Sequence, residues 1–510
     1  MSSREEQELK SRLDKLKQWS KLGTELYPSI CRRQHTSIDI IKLAQGQNLT
    51  LLGEDLSPTA SMMVYTAGRL MTLRPHGSLV FATLQDQAGL IQLAWLKNKT
   101  KPKEWELVQA LDRGDIIAAA GPIVKTKSGE VTVLVKEFTP LAKALRPLPE
   151  KWHGLKDVEA RLRQRYVDLM MSAESRELFI KKSRFWQTVR SYLMTAGFME
   201  VDTSALEVIA GGADATPFVT HHQALDKDFY LRISLELPLK RLLVGGYEKV
   251  FEIGKVFRNE GIDTEHLQDY TMCEFYWAYA NYEDLMSFTQ KMYQEIVQAV
   301  THAPESLRGT VPGAAGGLTT TYQGTMINWA GEWPRRDYFA LIKEISGEDL
   351  AGVTEVTALR KLLDKHHLKY EASMGVGRLI DLWFKKKVRP QVTGPIFLIN
   401  HPVEVSPLAK RDPKNPARVQ RLQIIAGGSE LGNGFSELND PFDQRSRFAE
   451  QAKLRAAGDS EAMMLDEDFI TALEYGMPPA AGFGLSERLF SFIVDKSIRE
   501  TTLFPPMRDN

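Results

Sequence analysis

The segment VFEIGKVFRNEGIDTEHLQDYTMCEFYWAY (250–279) constrains the fold more than any other stretch of the chain. Two strand-like runs rich in aromatic and β-branched residues flank a polar centre, the pattern of an antiparallel hairpin rather than a helix. Side chains alternate along a strand, so Arg258 and Glu260 share one face, as do Glu274 and Tyr276. Phe275, Trp277 and Tyr279 then point the other way, into packing. One face is a core and the other a site, because so many ionisable types converge beside aromatics.

Two further elements carry similar chemistry. In GGSELGNGFSELND (427–440), a spacing of two puts Asn433, Phe435 and Glu437 on one strand face, and Glu430 joins them only if Gly432 or Gly434 permits a bulge. AAGFGLSERLFSFIV (480–494) reads as a glycine-rich strand turning into a helix at Ser486, with Arg488 in the first turn. No GxxxxGK[ST] loop is present and GFGLSE lacks the third glycine of a dinucleotide fingerprint, so side chains would have to hold any nucleotide.

The 510 residues, 43% hydrophobic and 25% charged, suit a soluble protein of two to four domains, and 65 basic residues against 65 acidic ones advertise no overall nucleic-acid or membrane partner. Cys31 and Cys273 are too few for a disulfide scaffold, and neither a signal peptide nor a membrane-length apolar run is found, so the chain reads as cytoplasmic. Residues 1–60 read as a helical extension, with Leu9, Leu13, Leu16 and Trp19 on one face packing against their own protein. From 61 to 145, three strands, a short helix and two more strands follow the order of an OB-fold β-barrel. A proline-bearing hinge spans 146–176. Residues 177–510 alternate helices (near 177–196, 283–300, 337–345 and 445–457) with strands joined by short turns, an α+β domain on an antiparallel sheet flanked by helices.

The three chemical elements together resemble the class II aminoacyl-tRNA synthetases. GFMEVDTSAL is similar to motif 1, the FRNEG hairpin to motif 2 and GFGLSERL to motif 3. RLRQRYVDL, VIAGGADATPF, LELPLKRLLVGGYEKVFEIGKVFRNEGI, HPVEVSPLAK, LGNGFSELNDPFDQ and ALEYGMPPAAGFG, with KTKSGE and KALRPLP in the front domain, resemble the bacterial-type lysyl-tRNA synthetases from about residue 60 to the C-terminus.

The resemblance implies ATP-dependent attachment of L-lysine to tRNA(Lys) through a lysyl-adenylate, with Mg²⁺ accompanying ATP and a homodimer as the assembly. It implies that Arg258 holds the α-phosphate and the lysine carboxylate, Glu260 reads the adenine amino group, His266 reaches the outer phosphates, and Tyr270 and Arg488 sandwich the adenine. Glu430 is the implied metal ligand. Glu236 would meet the α-ammonium of lysine, Glu437 with Tyr276 the side-chain ammonium, and Glu274, Asn433 and Phe435 the walls, with Gly212 closing over the substrate. In the barrel, Phe81 would stack on an anticodon base, Gln92 and Glu130 would bond base edges, and Arg69 would contact phosphate.

The chain departs from the pattern in places. Ser204 replaces the proline ending motif 1, and Thr216 a usual basic residue. Leu267 and Gln268 follow His266 in place of Asn and Pro, Glu487 stands for an aspartate, and Gln423 occupies the position of a second metal carboxylate. The rival readings are an asparaginyl- or aspartyl-type synthetase, which the pocket carboxylates disfavour, and a paralogue that binds RNA or modifies protein without charging tRNA.

Overall fold

The computed structural model describes residues 3–55, 62–149, 157–261, 267–302, 317–459 and 461–508, and the chain divides into two units, Met1–Lys156 and Asp157–Asn510. In the first unit, β1 (Met63–His76), β2 (Leu79–Gln85), β3 (Leu90–Leu96), β4 (Ile116–Lys125), β5 (Val131–Leu134) and β6 (Glu137–Ala142) form one sheet. Its order is β1-β2-β3-β5-β4-β6, with β1 also pairing back onto β4. This closure is possible because β1 bends. Residues 63–69 pair with β4 and 69–76 with β2, a bulge lies between Leu70 and Thr72, and at Gly68 a Cβ would stand 2.3 Å from the Gln85 carbonyl.

The last of the five strands expected over 61–145, EVTVLVKEF, is two, β5 and the start of β6. At Gly121 a Cβ would meet the Leu134 carbonyl at 2.0 Å, and from there Val135 N–H donates to Ala94 O while Lys136 N–H donates to Ala120 O, so the chain changes partner. The helix Pro102–Gln109 contributes Trp105, Leu107 and Val108 to the barrel core. The helix Ser3–Lys21 adds Trp19, while Arg12 donates to Ala144 O and Lys15 pairs with Asp112. The extension is therefore part of the barrel unit.

In the second unit, the strands in chain order are β7 (Met199–Glu200), β8 (Leu206–Glu207), β9 (Val219–His222), β10 (Lys227–Leu231), β11 (Lys249–Phe257), β12 (Asp269–Ala278), β13 (Thr319–Tyr322), β14 (Thr325–Asn328), β15 (Arg335–Asp337), β16 (Ile396–Ile399), β17 (Arg421–Ala426), β18 (Ser429–Ser436) and β19 (Ala480–Ser486). Eight of them form a sheet of order β15-β16-β17-β18-β19-β12-β11-β7, antiparallel except at its two edge pairs. Its back face carries Phe251, Phe275, Phe483 and Ile424 against the helices Ala173–Thr195 (Phe185, Val189, Leu193) and Tyr282–Thr301 (Met292, Tyr293, Ile296). Each such buried side chain contributes about 1.5–3 kcal/mol, which fixes the strands whose other face forms the site.

Residues 157–176, expected within the hinge, are helical and belong to the second unit. Arg165 is buried, pairs with Asp168 and donates to the carbonyls of Glu500, Thr502 and Leu503, so a charged run that reads as linker is clamped by distant chain. Tyr279, expected in packing, is 70% exposed: β12 ends at Ala278 and Tyr279 turns out of the sheet at φ 62°. Among the described residues, no helix is long and apolar enough to cross a membrane.

Burial raises the Glu207 carboxyl from its ordinary 4.5 to about 8, with Arg232 opposing and Asp466 adding to the shift. The folded chain thus keeps a proton that the unfolded chain releases. Glu207 contributes full stability below pH 4.5 and loses it as pH rises through 8. Glu207→Gln is therefore expected to flatten the fall of Tm between pH 5 and 8.5, and a thermal melt series that leaves the slope unchanged would count against a protonated Glu207.

Candidate active site

The hairpin β11–β12 pairs Glu252 with Glu274 and Phe257 with Asp269. Arg258 and Glu260 lie just past β11, where Arg258 N–H donates to Gln268 O and Glu260 N–H to Arg258 O. β18 carries the bulge its glycines suggested: Ile424 faces Gly432 and Ile425 faces Glu430, which brings Glu430 to the same cavity as Asn433 and Phe435. At Gly432 a Cβ would lie 2.4 Å from both the Phe483 ring and the Tyr293 hydroxyl, so no larger residue fits there. The helix after β19 begins at Arg488, and Ser486 Oγ accepts from its N–H at 3.3 Å. Glu487, rather than Ser486, is the residue before the helix. It is buried, accepts from Thr271 N–H and pairs with Lys182.

These elements enclose a cavity of about 660 Å³. Gly212, Glu236, Arg258, Glu260, Tyr270, Glu274, Tyr276, Glu430, Asn433, Phe435 and Arg488 all line it. Glu437 is buried behind them, and His266 lies outside the described residues. Gly212 has φ 85°, and a Cβ there would stand 2.9 Å from Ser234 and 3.0 Å from Glu236, so both conformation and space call for glycine.

The carboxylates are tightly held. Glu274 accepts from Ser234 Oγ (2.7 Å), Leu235 N–H (3.0 Å) and the Tyr276 hydroxyl (2.8 Å). Burial, with Glu236, Glu274 and Glu437 around it, pushes the Tyr276 phenol far up, so it stays a donor. Tyr276 thus bonds Glu274 rather than Glu437, though its ring and Glu437 Oε1 both crowd Gly482, each 2.3 Å from where a Cβ would be. Glu236 and Glu437 instead share the buried ammonium of Lys240. Arg258 lies 5.5 Å over the Tyr270 ring and donates to Ile233 O.

Several supporting residues were not anticipated. Lys240 sits four residues after Glu236 on one helix, a spacing that could have revealed the pair. Arg421 donates to Asn433 Oδ1 and to Val405 O, orienting the amide. Arg378 reaches both Asp459 (2.9 Å) and Asp214 (3.6 Å) of the GGADA loop. The buried His401 places Nε2 3.0 Å from Gln423 Oε1, an interaction with no local sequence signal.

On the barrel, Phe81 alternates with the buried Val80, Ala82 and Leu84 and lies outside the apolar core. Gln92, opposite Thr83 on β3, donates to Thr132 Oγ1 at 2.9 Å, and Glu130 is exposed in the turn before β5. Phe81, Thr83 and Gln92 therefore share one face, on which Gln92 is buried. Arg69 is turned to the backbone, donating to Gly114 O at 2.8 Å.

A family profile described as tRNA synthetases class II (D, K and N) matches residues 157–508, and one described as OB-fold nucleic acid binding domain matches 64–141. The chain is 46% identical over 502 residues to a lysine–tRNA ligase of Carboxydothermus hydrogenoformans, covering 98% of each chain. It belongs to the class II lysine–tRNA ligase family. The ligases of Moorella thermoacetica (44% over 499 residues) and Bacillus subtilis (42% over 503) are similar over 98% of this chain and 97% of their own. Across the lysine–tRNA ligase fold here, the profile boundary at 157 coincides with the boundary between the two units.

Proposed function

We propose that the chain activates L-lysine with ATP to lysyl-adenylate and pyrophosphate, then transfers lysine to tRNA(Lys), releasing AMP. The observation that carries this reading is one cavity lined by Glu236, Glu274, Arg258 and Arg488, with Glu437 buried behind its wall. A substrate with two ammonium groups needs buried carboxylates, and its own carboxylate and the ATP phosphates need guanidinium groups. The lysine carboxylate is already an anion, so no general base is required. Arg258 holds it in line with the α-phosphate and takes up the charge that develops there. Glu260 accepts from the adenine amino group, Tyr270 and Arg488 stack on its two faces, and His266 meets the outer phosphates. Gly212 closes over bound lysine.

The donor set fits a magnesium ion carried by the phosphates. Among the described residues no three His, Cys, Asp or Glu side chains cluster as a metal cage, but Glu430 lines the cavity, and Mg²⁺ is commonly held by one or two carboxylates plus substrate phosphates. When bound there it would neutralise phosphate charge, with Glu430 as its protein ligand and Gln423 engaged with His401. Exposed Ile180, Met194 and Met199 on and beside the helix Ala173–Thr195 supply an apolar surface for a homodimer, and the setting is the cytoplasm.

Transfer of labelled lysine to tRNA, dependent on ATP, tests the reading, and absence of transfer to any tRNA overturns it. On the barrel, Phe81 stacks an anticodon base, Gln92 and Glu130 bond base edges and Arg69 lies near phosphate. Phe81→Ala is expected to lower the rate of charging by about 5–150-fold, the worth of one stacked base, while lysine-dependent pyrophosphate exchange stays at the wild-type rate. Equal loss in both steps contradicts an anticodon role for the barrel.

A further inference from the structure

We propose that Lys240 is a positioning residue for substrate lysine: its ammonium occupies one oxygen of Glu236 and one of Glu437, leaving the other oxygen of each for an incoming ammonium. The inference rests on the lysine-activating reading above. Lys240 is fully buried, its Nζ 2.5 Å from Glu236 Oε1 and paired with Glu437 Oε2. Phe435 and Phe469 close round it at 5.3 and 5.9 Å. Among the described residues neither Glu437 oxygen has a hydrogen-bond partner, but where Oε2 pairs with Lys240, the buried Oε1 faces Gly482 and enters no ion pair. A buried carboxylate oxygen left open in this way is a vacant acceptor beside the cavity.

The charges agree with this division. Glu236 comes from the same helix as Lys240; Glu437 is the residue just after β18, where it bridges to Ala409; Glu274 and Tyr276 come from β12; and Arg421 on β17 acts on Glu236 at longer range. With Glu236, Glu274 and Glu437 all ionised, three carboxylates against the one contacting ammonium leave two negative charges, and burial works against that state, raising Glu236 to about 7 and Glu437 well above its ordinary value. The two ammonium groups of lysine cancel them, and its carboxylate is left for Arg258. Burial alone would push the Lys240 ammonium down, yet Glu236 and Glu437 hold it above its ordinary value, so it stays charged. Without it, the upward pull of burial on Glu236 and Glu437 would lose the cation that opposes it, and such groups take up protons rather than remain ionised.

Lys240→Met is expected to raise KM for lysine in pyrophosphate exchange by about 30-fold or more, with KM for ATP within twofold of wild type. Glu236 and Glu437, already raised by burial, would titrate at still higher pH without their cation, so kcat/KM for lysine in the variant falls as pH drops from 8.5 to 6.5 and recovers as it rises. Lys240→Arg restores part of the lost affinity. Should the Met variant not fold, Lys240→Gln, whose amide still donates to a carboxylate, carries the same expectation. An unchanged KM for lysine, or parallel rises for lysine and ATP with a wild-type pH profile, overturns the proposal. Absence of lysine-dependent exchange in the wild-type enzyme would instead remove the lysine-activating reading itself.

Discussion

Arg258→Ala is expected to reduce lysine-dependent pyrophosphate exchange by about 10³-fold or more while leaving the thermal transition of the protein nearly unchanged. The side chain lines the cavity, is only partly buried and, among the described residues, donates to Ile233 O and lies over the Tyr270 ring, so its removal takes little from the fold. Its proposed work is at the reacting centre, where one guanidinium orients the attacking carboxylate and neutralises charge at the α-phosphate. Loss should therefore appear in kcat as well as in KM. A variant that lost only affinity for ATP, with kcat intact, would make Arg258 a binding residue and nothing more.

Glu437→Gln is the second large effect. The carboxylate is buried, carries one ion pair to Lys240 and keeps Oε1 open toward the space left by Gly482. Replacing it by an amide removes a negative charge from a site that must desolvate an ammonium, and truncating one partner of a buried charge pair costs about 2–5 kcal/mol. The expected result is a fall in kcat/KM for lysine of roughly 30-fold to several thousandfold, with KM for ATP unaffected. Steady-state exchange at varied lysine and at varied ATP separates the two. Matching losses for both substrates would show that Glu437 supports the cavity as a whole rather than the amino-acid end.

The elements that supply the site were legible because each is local. Alternation placed Glu274 and Tyr276 on one face of β12 and Phe275 in the core, and the glycines of β18 signalled the bulge that admits Glu430. The strand order of the barrel followed from turn residues and apolar runs. What escaped were contacts between distant segments. Arg165 reads as a solvated linker residue until Glu500, Thr502 and Leu503 are folded onto it. Arg232 donates to Glu252 and to Thr203 O, tying the end of the motif 1 region to the hairpin, and nothing in its neighbourhood announces that. His401 and Gln423 meet only because β17 lies beside the strand that leads to His401. Lys240 is the instructive miss: a basic residue on a helix reads as surface, yet its place four residues after Glu236 on an otherwise apolar face was a usable signal. Tyr279 shows the reverse, since alternation was carried one residue beyond the strand.

The central claim is that this cavity activates lysine and no other amino acid. It is tested most directly by exchange of labelled pyrophosphate into ATP with Mg²⁺, without tRNA, across the twenty amino acids in turn. Exchange with lysine alone is the predicted result; exchange with none of them, or with aspartate or asparagine in place of lysine, would contradict it.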